Sequence, residues 1–158
     1  MARSKQTGIL AASILLAVGC GELPTVSVHD GLRLELTHLP AVILVGDSAT
    51  VTIRLRNETA RSVRLEFGSS CQIMPYIETE AGAVIYPDGG WGCATVLTTL
   101  DVPARGVVTR TVVIRGTLQP DGRFGPSLPP GRYRAYAALD PNAGRLSLRS
   151  QSVAFEVQ

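Results

Sequence analysis

The sequence predicts an all-β protein, an immunoglobulin-like antiparallel β-sandwich of roughly seven to nine strands. Two neighbouring runs, residues 51–55 and 63–67, alternate apolar and polar side chains, which places one strand face in a core and the other in water. The 16 Gly and 10 Pro suit strands and turns better than helices, and no run after residue 20 has a convincing helical period. An up-and-down barrel is the alternative architecture.

The elements before and between these two runs follow from the same pattern. Leu32, Leu34 and Leu36 alternate with polar residues and predict the first strand of the domain. Residues 41–45 form a brief apolar segment that can pair at a sheet edge. Residues 57–62 are polar turn material joining the two alternating runs.

The middle of the chain predicts shorter strands. Residues 71–78 form a strand that contains Pro75, which cannot donate to a ladder, so this strand lies at an edge or carries a bulge. After a hairpin turn, residues 84–86 return as a short strand. The loop 87–92 follows, and the next strand spans residues 94–100.

The last part of the chain has three further strands and two connections. The connections are a long Pro-rich loop at residues 116–130 and a turn at 140–144. The strands are residues 107–114, 133–139 and 153–157.

The N-terminus resembles an export signal of a bacterial lipoprotein. Arg3 and Lys5 precede an apolar run, residues 8–18, which at about eleven residues fits a signal peptide and is too short for a permanent membrane span. The run ends in small residues before Cys20, as in a lipobox. We therefore predict a lipoprotein signal peptide at residues 1–19.

In this interpretation Cys20 is lipidated and anchors the protein to a membrane of the cell envelope, on its periplasmic face or at the cell surface. Residues 20–30 form the lipidated Cys and a tether, and residues 31–158 form the folded domain. The alternative is an ordinary signal peptide that leaves Cys20 as a plain thiol.

The distribution of charged residues does not predict a polyanionic partner. Arg3 and Lys5 carry the two excess positive charges, so residues 20–158 have balanced Arg and acidic side chains and no Lys. Without a basic stripe we expect no binding to nucleic acid.

Cys71 and Cys93 are the strongest local signal. An exported domain lies in an oxidising compartment, where such a pair usually forms a disulfide. Closing a loop of about 22 residues stabilises a fold by about 3 kcal/mol in the chain-entropy model. A metal site needs further ligands, and a redox centre usually has closely spaced Cys, so we expect a structural disulfide.

Residues typical of catalysis are scattered. His29 and His38 belong to no cluster, and Ser69 and Ser70 lie in a turn-like Gly-Ser-Ser-Cys run that is not a nucleophile elbow. We therefore expect no enzyme activity, no metal and no small-molecule cofactor.

Two loops are candidate partner-binding surfaces. Trp91 lies in the loop 87–92, beside Cys93, and can either anchor an interface or fold back on the core. Phe124 lies in the Pro-rich loop 116–130, which can either enter a protease cleft or act as an ordinary connection.

Three motifs resemble the BsuPI-type intracellular proteinase inhibitor domain. They are the run Leu55-x-Asn57-x-Thr59 leading to Val63-x-Leu65-x-Phe67, the strand Gly82-Ala83-Val84-Ile85-Tyr86, and Pro130-Gly131-Arg132-Tyr133. The resemblance covers about residues 44–157. It implies a β-sandwich and protease inhibition.

The sequence thus predicts a non-catalytic, lipid-anchored binding module of the cell envelope, with protease inhibition as the form that the resemblance implies. The alternative is a structural or accessory lipoprotein subunit of an envelope complex. An inhibitor needs a rigid loop, whereas an accessory subunit needs an apolar sheet face or an open edge strand.

Overall fold

A computed structural model describes residues 28–29, 31–87, 92–118, 126–139 and 148–158. These residues contain no helix, and therefore none that is long and apolar enough to cross a membrane. Their strands, in chain order, are β1 Val28–His29, β2 Leu32–Thr37, β3 Val42–Ile43, β4 Ser48–Asn57, β5 Val63–Phe67, β6 Ile73–Thr79, β7 Val84–Tyr86, β8 Thr98–Val102, β9 Val107–Gly116, β10 Ser127–Leu128, β11 Gly131–Leu139 and β12 Val153–Val157.

Two five-stranded sheets face each other. Sheet A has the order β1-β2-β4-β9-β10, and sheet B has the order β3-β12-β11-β6-β7. The long strands of sheet A correspond to A, B and E of an immunoglobulin domain, and β6, β11 and β12 of sheet B correspond to C, F and G. The pairing of β4 with β9, which are distant in sequence, excludes an up-and-down barrel. The predicted immunoglobulin-like sandwich is confirmed.

A third sheet, sheet C, consists of β5 and β8 in an antiparallel pair. Its inward residues Phe67 and Val102 are fully buried and join one core cluster with Leu34 and Leu55. The two neighbouring alternating runs of the sequence, which form β4 and β5, therefore do not pair with each other. Sheet C packs on the same core cluster as β2 and β4.

The apolar and polar residues that alternate in the sequence are alternately buried and more exposed in the structure. Along β4, every second residue from Ala49 to Asn57 is buried. A second core cluster joins Val51 and Ile114 of sheet A to Ile77 and Phe155 of sheet B. This contact between the two inner faces is what makes the domain a sandwich.

Three strands are only two residues long. β3 lies in the segment 41–45 that was predicted to pair at a sheet edge, whereas β1 and β10 were not predicted. The nine longer strands agree with the predicted number, while β1, β3 and β10 add two residues each among the described residues. β3 pairs with β12 and β10 pairs with β9, both in parallel orientation, although the pattern predicted antiparallel pairing throughout. These edge strands end the two main sheets.

Pro75 lies in β6, which has a neighbour on each side. β11 pairs along the whole of β6, but β7 reaches only Ile77 and Glu78, with a register shift between them. The first half of β6 is therefore open on one side, which leaves room for a residue without an N–H donor. The predicted edge or bulge is correct for this half of the strand.

The Asn-x-Thr motif is a structural device. Asn57 is only 2% exposed, and its Nδ2 lies 2.7 Å from the Arg61 carbonyl oxygen, 3.1 Å from that of Val102 and 3.0 Å from that of Pro103. Its Oδ1 accepts from the Thr59 backbone N–H at 3.0 Å. One side chain thus joins the end of β4 to the turn that follows it and to the end of β8.

Tyr133 forms a tyrosine corner at the start of β11. Its hydroxyl donates to the Pro129 carbonyl oxygen at 2.8 Å, and its ring packs against Phe155 at a centroid distance of 5.6 Å. A Cβ on Gly131 would lie 3.1 Å from the Tyr133 hydroxyl, so the close approach favours glycine. This backward hydrogen bond at the E–F corner is typical of immunoglobulin-like sandwiches.

Candidate functional site

A disulfide joins Cys71 and Cys93, as predicted, with 5.5 Å between their Cα atoms. Cys71 precedes β6, and Cys93 lies in the connection between β7 and β8. Ser69 makes the turn before Cys71: its Oγ accepts from the Cys71 backbone N–H at 3.1 Å and is largely buried. Ser69 therefore has the predicted turn role.

The residues after the disulfide form what we call the clamped segment, Gly92 to Leu97. At one end Ser70 and Ala94 exchange two hydrogen bonds, from the Ser70 N–H to the Ala94 oxygen and from the Ala94 N–H to the Ser70 Oγ, each 2.9 Å. At the other end the Thr98 hydroxyl donates to the Ser69 carbonyl oxygen at 2.7 Å. The segment is thus fixed at both ends to the same turn.

Between these fixed points the chain is exposed and unpaired. Residues 92–97 run without a turn or a bend. Leu97 is 86% exposed and Val96 is 49% exposed. Within the described part of the chain, the backbone groups of residues 95–97 make no hydrogen bond. The segment therefore presents an extended backbone and two free aliphatic side chains.

The sequence predicted that residues 94–97 belong to a strand, and this was wrong. β8 begins at Thr98, which pairs with Phe67, the last residue of β5. The chain bends at residues 68–70, immediately after β5, so no strand lies beside residues 94–97. The apolar pattern indicated extended backbone correctly, but the partner strand is too short to reach this segment.

A second cluster lies on the outward face of sheet B. Tyr76 and Tyr136 stack with their ring centroids 5.0 Å apart, and the Arg149 guanidinium lies 3.4 Å from the Tyr136 centroid. Arg149 also lies 3.3 Å from a carboxylate oxygen of Glu78 and 2.9 Å from the Ser152 Oγ. Tyr136 is buried although it points away from the core. The aromatic, charged and hydroxyl groups of the cluster contact one another, which favours a packing role.

A shallow groove of about 280 Å³ lies beside this cluster on the same face. Its walls include Ala41, Arg132, Arg134, Ala154 and Glu156. Two basic and two acidic side chains line it, and Arg132 lies 3.9 Å from Glu80. This balance gives the groove no preference for a ligand of one charge.

Shifted pKa values occur at partly or fully buried tyrosines and at a surface ion pair. A hydrogen bond from Arg64, at 2.7 Å, lowers the pKa of the exposed Asp101 carboxyl. Burial raises the pKa of the Tyr133 phenol and of the Tyr136 phenol, while the charge of Arg149 acts in the opposite direction on Tyr136. These shifts follow from packing and a surface ion pair, and none marks a catalytic acid or base.

The remaining predicted residues are placed as follows. Cys20, Trp91 and Phe124 lie outside the described residues. His38 is exposed, in a left-handed backbone conformation with φ of 63°. Across the described ranges, no group of three His, Cys, Asp or Glu side chains is arranged to hold a metal ion.

Comparisons with known proteins give no family. No family model matches the chain, and no curated protein matches it. Among solved structures, the chain is similar to the CARDB domain of PF1109 from Pyrococcus furiosus, with a TM-score of 0.47 and 17% identity, over 81% of this chain and 93% of that one.

Two other similar structures differ in kind. One is the C-terminal domain of wzt, with a TM-score of 0.46 and 12% identity, over 82% of this chain and 75% of that one. The other is a β-glucosidase from Listeria innocua in complex with glucose, with a TM-score of 0.44 and 13% identity, over 80% of this chain but 16% of the enzyme. Because identities and TM-scores are this low, we draw no function from these likenesses.

Proposed function

We propose that this chain is a non-catalytic, lipid-anchored binding module of the bacterial cell envelope that acts as a proteinase inhibitor. The clamped segment is the observation that carries this proposal. Leu97 is almost fully exposed, and the segment's backbone is held by the disulfide and by hydrogen bonds. A rigid loop with an exposed apolar side chain binds a partner at a low entropic cost, because it is ordered before association.

The disulfide also supports the proposed location. Disulfides persist in exported proteins and are rare in the reducing cytosol. Cys71 and Cys93 are bonded to each other, and Cys20 stands at the end of the leader in the position of a lipidated residue. We therefore place the domain outside the cytoplasm, held at a membrane through Cys20.

The side chains of the described residues support binding rather than catalysis. The Ser69 hydroxyl is used in the turn before Cys71, and the Glu78 carboxylate contacts Arg149. Neither is available as a nucleophile or a proton acceptor in an open cleft. The BsuPI-type resemblance gives proteinase inhibition as the specific form of binding.

A second candidate function, an accessory subunit of an envelope complex, is favoured by one observation. β3 is an edge strand of sheet B, and Val42, Leu44 and Val45 in and beside it are exposed, Leu44 at 54%. An edge with exposed apolar side chains can pair with a strand of another subunit. This surface is separate from the clamped segment, so substitutions can distinguish the two functions.

The first test concerns the anchor. We expect the full-length protein, expressed in a bacterium with a lipoprotein pathway, to incorporate a fatty-acid analogue and to sediment with membranes. The Cys20→Ser variant should lose the label. Equal labelling of both proteins would contradict the lipid anchor.

The second test concerns the activity. The native protein, extracted in detergent, is titrated against serine, cysteine and metalloproteases while residual hydrolysis of a small substrate is followed. Stoichiometric inhibition of one class supports the proposal, and alanine substitutions at Trp91 and Phe124 then test the predicted loops. A different result would favour the accessory function over protease inhibition: all enzymes remain active, and crosslinking in membranes captures an envelope protein. In that case the Leu44→Asp variant should fail to capture this protein.

A further inference from the structure

We propose that the clamped segment is the reactive segment of the inhibitor, and that Leu97 fills the apolar primary specificity pocket of a serine-type peptidase. This inference rests on the proposed function and gives it a contact residue and an enzyme class. It depends on three properties of the segment: its backbone, its exposed side chain and its clamps.

The backbone has the form that a peptidase cleft binds. Residues 95–97 continue straight into β8 without a turn, and their N–H and C=O groups make no hydrogen bond to any described residue. An extended peptide with free backbone groups adds to an open strand edge of its partner. Peptidase clefts bind their substrates in this manner, so residues 95–97 can pair without any change in the fold.

The side chain of Leu97 selects the enzyme class. At 86% exposure it has almost no contact with its own domain, so it enters a pocket without losing intramolecular packing. An aliphatic side chain fits the hydrophobic slot of chymotrypsin-type enzymes. Residues 92–97 contain no Lys or Arg, which a trypsin-type pocket with its buried carboxylate requires.

The hydrogen bonds that hold Ala94 and Thr98 explain why the segment inhibits the enzyme instead of being cleaved and released as a substrate. Hydrolysis of the Leu97–Thr98 bond adds one water and produces a Leu97 carboxylate and a Thr98 ammonium group. Ala94 remains bonded to Ser70, and the Thr98 side chain remains bonded to the Ser69 carbonyl oxygen. Thr98 at the new amino terminus is held directly, and the Leu97 carboxylate is tethered through Ala94, three residues upstream. Both termini therefore remain near one turn, and reformation of the bond, with release of the water, competes with product departure.

The experiment uses the full-length lipidated protein in detergent and measures inhibition of chymotrypsin, a subtilisin-type enzyme and trypsin with small chromogenic substrates. We expect the native protein to inhibit an enzyme with an apolar pocket and not trypsin. Leu97→Asp should weaken this inhibition by at least roughly 30-fold, the loss typical of a central interface anchor.

Leu44→Asp is the matched control, since Leu44 is also an exposed leucine, at 54%, but lies beside β3. It should inhibit as the native protein does. Leu97→Arg supplies a gain of function: inhibition should pass from the chymotrypsin-type enzyme to trypsin. Unchanged urea midpoints would show that the variants are folded.

The outcomes separate this inference from the proposed function. If the native protein inhibits and Leu97→Asp inhibits equally well, the proposed function stands and the assignment of Leu97 is overturned. If the segment is cleaved rapidly at Leu97 without inhibition, the reactive segment is overturned. If no enzyme with an apolar pocket is inhibited, the enzyme class is wrong, and the wider panel and crosslinking decide the function.

Discussion

Replacement of Asn57, the last residue of β4, by alanine should destabilise the domain markedly. The side chain is 2% exposed, and its amide nitrogen lies within 3.1 Å of three carbonyl oxygens. Asn57→Ala removes one donor from each of these oxygens. The Pro103 oxygen keeps the Gly106 N–H and the Arg61 oxygen keeps the Thr59 hydroxyl, so the main loss is at the buried Val102 oxygen. A buried polar group left unsatisfied costs about 1–3 kcal/mol, so we expect a total loss of about 3 kcal/mol.

Urea-induced unfolding, followed by circular dichroism, measures this loss as a lower midpoint with an unchanged slope. Gln72→Ala is the matched control, because the Gln72 amide also donates to a carbonyl oxygen, that of Thr99, at 3.1 Å but at an exposed site. It should cost less than about 0.5 kcal/mol. If Asn57→Ala costs no more than Gln72→Ala, the motif does not hold the end of β4, and our reasoning is refuted.

Three further predictions concern the corner, the disulfide and alkaline pH. Tyr133→Phe removes the hydrogen bond to the Pro129 carbonyl oxygen and should cost about 1 kcal/mol in the same urea assay; no change would contradict the corner. Replacing both Cys71 and Cys93 by alanine opens a loop of 22 residues and should cost about 3 kcal/mol, while an added reductant should then have no effect on the variant. Burial raises the pKa values of Tyr133 and Tyr136 above the ordinary tyrosine value, so stability should be full below pH ~10 and be lost as the pH rises further. The urea midpoint should therefore decrease above pH ~10, and a midpoint that stays constant as the pH rises above this value would contradict this expectation.

The alternation of apolar and polar residues predicted the fold class, because a period of two residues places every second side chain in the core. β4 has buried side chains at every second residue, and β11 keeps this order on its core side at Tyr133, Ala135 and Ala137. The exception is Tyr136, which is buried on the outward face by Tyr76 and Arg149. Nothing local to Tyr136 in the sequence indicates this cover, because Arg149 comes from another part of the chain.

The candidate site was predicted only in part. The disulfide followed from two Cys residues in a chain that the sequence predicts to be exported, and the structure confirms the disulfide. The exposure of Val96 and Leu97 did not follow, since an apolar alternating run normally indicates a strand. Their exposure depends on where β5 ends, which residues 94–97 themselves do not encode.

The sequence by itself determined most of the longer strand segments, the turn residues and the covalent link between Cys71 and Cys93, because each depends on local periodicity or on the chemistry of a residue type. Only the tertiary structure decided which strands pair, as when β4 pairs with β9 and β5 with β8. Those pairings join residues far apart in the chain, and the competition among several equally apolar strands is settled by packing of the whole core. The free backbone of the clamped segment is a consequence of that packing.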